Sequence, residues 1–393
     1  MQMFRFRARR PGLAAAAALA AWCCGLAQAA TWIVGPDKPS MTLAEALAAA
    51  ADGDTVALMP GHYKGQTGVV THKQLTIRAV AERPVLEAAG QMAERKGILV
   101  VRGGDITVDS IEFRGARSAD ADGSGIRHDG GNLTVRNCLF ADNEKGLMTA
   151  NDEQARLVVE DSEFGPAPRV EGGLPHLLYV GRIASFSLRG SRFYGGYEGH
   201  LVKSRARESR IAYNLIYDGA EGQASYEIDL PEGGLAWIIG NVIGQSEHAR
   251  NPVMVAYGAE GGRWPKNALY LSHNSFIGNP WPPSWNVRVF GSRLPGPVEV
   301  KAVNNLSLGL GLFSPGTSGV FEGNRWALRR RAVQSIYTLE FGLTEASGLR
   351  SSVGPAGQGG GESLQPTAEF KLPRGTRPIQ PPAAWSPGAV QTP

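Results

Sequence analysis

Cysteine is almost missing from this 393-residue chain: Cys23 and Cys24 lie in the first thirty positions, and Cys138 stands alone thereafter. A single thiol in the remainder excludes a disulfide framework, so a packed core has to hold the fold. Charge is scarce too, at 19% of residues, while 42% are hydrophobic, which excludes a disordered chain. The sequence lacks a phosphate-cradling glycine loop, a dinucleotide fingerprint, zinc-ligand spacing and a serine-nucleophile elbow. His62, His72, His248 and His273 are scattered without metal-ligand spacing. Beyond residue 30 no apolar run reaches the ~20 residues of a membrane span. The 51 glycines and 25 prolines follow no three-residue period, so collagen is excluded and a turn-rich globular protein remains.

The formal net charge of +4 would suit a nucleic-acid partner, but it comes from the N-terminus. Arg5, Arg7, Arg9 and Arg10 precede an apolar run from Leu13 to Leu26, and Ala27-Gln28-Ala29 follows as a small-x-small site. Residues 1–29 therefore read as a secretory signal peptide, and the protein as exported, to the periplasm or outside the cell. Without those four arginines the charge falls to zero and no general basic field remains. No nucleic-acid partner and no membrane span are expected.

A repeat of about 27 residues occupies most of the chain. Its pattern is apolar-x-x-(Asn, Ser or small)-x-apolar, as in Val108–Phe113, Val135–Phe140, Val159–Phe164, Leu188–Phe193, Ile211–Ile216, Ile238–Ile243 and Leu271–Phe276. A weaker copy surrounds Asn304 and Asn305. Each unit holds short alternating runs such as Leu133-Thr134-Val135, too short to bury a face alone and without helical periodicity. Stacking each unit on the next buries one continuous core, which predicts an all-β, single-stranded parallel solenoid of about ten rungs. Asn214, Asn241 and Asn274 then form an internal ladder of side-chain amides. Thr42-Leu43-Ala44-Glu45 is a capping box, so a short α-helix over about 42–51 is expected to cover the first rung. From about Thr344 the periodicity stops, and 345–393 reads as an irregular Pro/Gly-rich tail packed along the coil and frayed at its end.

The helix, Asp52-Gly53-Asp54-Thr55-Val56 and Pro60-Gly61-His62-Tyr63 together resemble the start of the right-handed parallel β-helix in pectate-lyase-like proteins. The likeness spans about residues 31–330 and implies right-handed coiling for a β-helix domain over 30–344.

Polar residues concentrate in the central rungs. Aligning Val180, Val202, Ile228 and Val255 as inward residues turns Leu201, Lys203, Glu227 and Asp229 outward by alternation. His176, Tyr179, Arg182, His200, Arg205, Tyr226 and Tyr257 lie on the same strands or their ends. A plain ion pair accounts for Lys203 beside Asp229 one rung away, ~4.8 Å. A site for an acidic, uronic-acid polysaccharide accounts for the whole set. In β-elimination Arg182 and Arg205 would hold the sugar carboxylate, Lys203 would act as base, and His200 or Tyr226 as proton donor. His176, Tyr179, Glu227, Asp229, Tyr257 and Trp264 would line the substrate. Glu227 and Asp229 at i, i+2 alternatively suit an inverting glycoside hydrolase. Trp264, Trp281 and Trp285 suit sugar stacking, or loop packing over the solenoid flank.

Glu198-Gly199-His200-Leu201-Val202-Lys203-Ser204, with Tyr213-Asn214 and Gly222, resembles the catalytic rungs of polysaccharide lyase family six, which includes chondroitinase B and alginate lyases. The resemblance places Lys203 on the catalytic lysine and Glu198 on a Ca2+-binding glutamate. Gly196 occupies the other glutamate position, and Glu227 falls where the family carries an arginine. The expectation is thus an exported, monomeric, polysaccharide-active β-helix protein of lyase type with Ca2+ as its candidate metal; the alternative is a non-catalytic glycan-binding or envelope protein.

Overall fold

A computed structural model describes residues 29–37, 39–170, 173–278, 283–309, 311–313 and 317–392, with backbone alone at Arg329 and Arg330. The proposed signal segment lies, but for its last residue, outside the described residues, as does Trp281. Among the described residues the chain coils into a right-handed parallel β-helix whose three parallel sheets hold twelve, ten and eleven strands. Each strand pairs with its equivalent one coil away: Leu133 with Ile106 and Leu157, and Phe140 with Phe113 and Phe164. Alternation inside these strands delivers the core. Phe113, Phe140, Phe164 and Phe193, the last apolar position of four repeats, stack with centroids 5.3, 4.5 and 4.7 Å apart.

The fourth repeat position forms the expected ladder. Asn214 Nδ2 donates to Asn241 Oδ1, Asn241 Nδ2 to Asn274 Oδ1, and Asn274 Nδ2 to Asn305 Oδ1, at 2.9, 3.0 and 2.9 Å. Asn305 continues it to Asn324 at 2.9 Å, one rung beyond the repeats seen in the sequence. The residue before each ladder position turns the corner in left-handed backbone: Asn137, Asp161, Gly190, Tyr213, Gly240, His273 and Asn304 all have φ between 47° and 65°. Asn, Asp and Gly tolerate that region, so the third repeat position carries a turn signal of its own.

The first rung is covered by a helix, Leu43–Ala49, with Thr42 as N-cap. Thr42 N–H donates to Glu45 Oε2 at 2.7 Å and Glu45 N–H to Thr42 Oγ1 at 3.3 Å. Leu43, Ala46 and Leu47 are buried over the coil. The C-terminal tail is more ordered than its composition implies. Val333–Ser335 pairs with Glu340–Leu343, Gln358–Gly359 with Glu362–Ser363, and Ala368–Phe370 with Thr376–Pro378. The tail docks on the coil through its end: Trp385 and Ala389 are buried, and Ala389 N–H donates to Ser275 Oγ at 2.9 Å. No described helix is long and apolar enough to cross a membrane.

Candidate functional site

The ten-stranded sheet places the candidate residues. Leu178, Val202, Ile228 and Val255 share one inward column, and Tyr179, Lys203, Asp229, Ala256 and Arg288 share the adjacent outward one. Val180 pairs with Ser204, two residues beyond the alignment read from the sequence. A shift of two preserves the face, so Lys203 and Asp229 lie outward as expected. Leu201 and Glu227 do not. The regular strands begin only at Val202 and Ile228, and strict alternation does not extend to the residues that enter them. Both side chains point into the coil and are fully buried.

On the outward face a chain of ion pairs runs across four rungs. Lys203 Nζ lies 2.8 Å from Glu260 Oε1 and 3.4 Å from Asp229 Oδ2. Arg205 grips Glu260 Oε2 at 2.6 Å and Glu232 Oε1 at 2.7 Å, and its Nε donates to Tyr179 Oη at 3.0 Å. Arg182 forms a two-pronged contact with Glu232, at 2.7 and 2.6 Å. Burial opposes ionisation of Glu260, but the bonds from Lys203 and Arg205 outweigh it and hold the carboxyl below its ordinary range. Glu232 is held low in the same way by Arg182 and Arg205.

A ring stack borders this network: His176, His200 and Tyr226 follow one another at 4.8 Å spacings. Burial, then the Lys203 charge, lowers the His200 pKa to about 3, so the imidazole is neutral at ordinary pH. Its Nε2 lies 3.4 Å from Asp229 Oδ2. Burial raises the Asp229 acid to about 6 in spite of Lys203. Neither His200 Nδ1 nor Asp229 Oδ1 has a hydrogen-bond partner. His176 is held well below the histidine range by burial and by His200, and its Nδ1 accepts the His200 backbone N–H at 2.9 Å.

Several expected roles change. Glu227 is sealed in the core with both carboxylate oxygens unpartnered, and burial and the nearby Asp218 push its acid far above the usual range. It is a core acid beside Gln245 and cannot form an outward pair with Asp229. The carboxyls that do face each other are Asp229 and Glu260, on either side of Lys203 Nζ. Lys203 Nζ is within ion-pair distance of both. Tyr257 points inward with its hydroxyl on Gly234 O, and Trp264 is buried with Nε1 on Arg205 O at 3.1 Å. Neither is open to a sugar; Trp264 instead steadies the Arg205 backbone. Tyr226 and His176 wall the His200 ring. Glu198 pairs with Arg250 at 2.9 Å, and no cluster of three or more Asp, Glu, His or Cys suited to a metal occurs among the described residues.

Glu232, Glu260 and Lys145 escaped the sequence reading. Glu232-Gly233-Gly234 and Glu260-Gly261-Gly262 each follow a strand of this sheet, and that repeated Glu-Gly-Gly is the signal that marks them. Gly258 N–H donates to Leu230 O and Glu260 N–H to Pro231 O, fastening the second turn to the first. Lys145 pairs in register with His176, and burial lowers its ammonium pKa.

No protein-family model and no curated protein matches this chain. Among solved structures it is similar to pectate lyase Pel9A, at 16% identity and a TM-score of 0.57, covering 93% of this chain and 97% of that one. A PL6 family alginate lyase, AlyGC, aligns at 13% identity and a TM-score of 0.37, over 76% of this chain and 40% of that one. The Pel9A likeness shows the fold: a pectate-lyase-like parallel β-helix.

Proposed function

We propose that this pectate-lyase-like parallel β-helix is an exported protein that cleaves an acidic polysaccharide by β-elimination at the Lys203 face. The supporting observation is that Lys203 and Arg205 already grip one carboxylate, that of Glu260, through both its oxygens, at 2.8 and 2.6 Å. Glu260 comes from a turn and its side chain is 45% exposed, so a uronate carboxylate can take its place. Two cations on that group draw charge out of the sugar and acidify the C5 proton.

Asp229, whose buried acid is raised to about 6 and which is therefore the stronger base of the pair, accepts the C5 proton, with the neutral His200 imidazole 3.4 Å away to hold its carboxyl in place. The C5–H electrons form the C4–C5 double bond, and the C4–O bond breaks toward the leaving sugar. Tyr179, held by Arg205, donates the proton that the leaving oxygen requires. Incubation with a panel of uronic-acid polymers, followed by the absorbance of the unsaturated product, tests the reading. Chromophore from one polymer, lost in Lys203→Ala, is the expected result. New reducing ends without chromophore would favour a hydrolase, and binding without any product a glycan-binding protein.

A further inference from the structure

The cations of this face fall into two groups. Lys203, Arg205 and Arg182 are each matched by carboxylates. Arg288, in the same outward column, has no carboxylate partner among the described residues, and neither has Arg293. Arg288 is exposed and its guanidinium lies over two rings, 5.7 Å from the Trp285 centroid and 4.8 Å from that of Phe290. Arg293 approaches Phe290 at 5.0 Å. Arg288, Trp285 and Phe290 line an open cleft of about 640 Å³ whose other walls include Ser292, Val298 and Ser318 and contain no acid.

We infer that this cleft is a second, non-catalytic subsite for a carboxylated sugar, in which Arg288 binds the carboxylate and Trp285 or Phe290 packs against the pyranose C–H face. The inference rests on the polysaccharide reading of the Lys203 face and extends it. Stacking fixes the plane of a guanidinium and leaves its N–H edge free, which suits a planar carboxylate. The register supplies the spacing: Lys203, Asp229, Ala256 and Arg288 are successive neighbours, so Arg288 stands three rungs, ~14 Å, from Lys203. A chain of several uronic residues lying along the coil axis reaches both points, whereas a single sugar reaches one. Arg293 also joins the two places, because its guanidinium donates to Ala259 O, next to Glu260.

Equilibrium binding by the full chain carrying Tyr179→Phe, which removes the proton donor and leaves Lys203 and Arg205 in place, tests the subsite with long polygalacturonate and polymannuronate chains and with free galacturonate. Adding Arg288→Ala should raise the Kd of the long chain that binds by about tenfold, flatten its salt dependence, and leave the Kd of free galacturonate unchanged. Trp285→Ala should weaken the long chain alone in the same way. An unchanged Kd in both variants would remove the subsite while leaving the Lys203 reading intact. Equally tight binding of a single-stranded oligonucleotide of the same length would also overturn it. Failure of the wild-type chain to bind any uronic polymer would overturn the subsite and the polysaccharide reading together.

Discussion

Two sets of buried polar groups lie within a few rungs of each other and behave in opposite ways. Along the asparagine ladder every rung repeats the same amide, and each Nδ2 and Oδ1 meets the next rung or a backbone group, as in Asn241 Nδ2 to Ile211 O at 2.8 Å. In the outward column of Tyr179, Lys203, Asp229, Ala256 and Arg288 no two rungs carry the same residue, and unpartnered atoms remain on Asp229, on the neighbouring His200 and, in the core beside them, on Glu227. Repetition permits complete satisfaction, because identical groups one rung apart are already at hydrogen-bond spacing. A column of unlike residues forfeits that and keeps polar capacity in reserve. The contrast separates columns that hold the coil from a face that can act on something else.

The widest separation is expected between Lys203→Ala and Asn241→Ala. Lys203→Ala should lower turnover of the responsive polymer by roughly a thousandfold, with a melting temperature near wild type, since removing a donor aimed at developing charge costs on the order of 10²–10³ in rate or more. Asn241→Ala should leave the Lys203 face intact but cost about 2–4 kcal/mol in denaturant unfolding, because it orphans the Asn214 backbone N–H and takes one of the two acceptors of the Asn214 amide. A catalytic loss with no stability loss for Asn241→Ala would dissolve the distinction.

Glu227→Met should be neutral or stabilising by up to about 2 kcal/mol, measured by urea unfolding at pH 7, since it replaces a fully buried acid whose oxygens lack a hydrogen bond with an apolar chain of similar length. Severe destabilisation would show that Glu227 has a partner in solution. His200 sharpens the comparison through pH. The folded protein holds it near 3 against an ordinary value of 6.5, so between those values the unfolded chain binds a proton that the folded one refuses. Its contribution to stability is therefore complete above pH 6.5 and declines as pH falls toward 3. His200→Gln should flatten the acid side of the stability profile. Asp229, raised to about 6 from 3.8, acts in the opposite sense, its folded form retaining a proton while the unfolded form has lost it. Asp229→Asn should thus gain most relative to wild type above pH 6. Smallest of all, Arg136→Ala, which breaks an exposed pair with Asp109 at 2.8 Å, should change stability by less than about 1 kcal/mol.

The repeat made the coil, its ladder from Asn214 to Asn274 and the Thr42 capping box legible from residue order. Lys203 and Asp229 were correctly faced because both sit inside regular strands, where alternation is strict. Glu227 was misplaced one residue outside that regularity, and Tyr257 and Trp264, read as sugar contacts, proved to be packing groups. Glu260 went unseen because it lies 57 residues beyond Lys203 in the chain, in a turn whose path no periodicity describes.

Residue order alone settled what recurs from rung to rung, because stacking forces equivalent positions together and any side chain that repeats there announces its neighbour. Folding in three dimensions settled which unlike charges meet. The turns after the strands differ in length and shape, and their reach, set by backbone geometry and packing, brings Glu232 to Arg182 and Arg205 and closes Glu260 over Lys203.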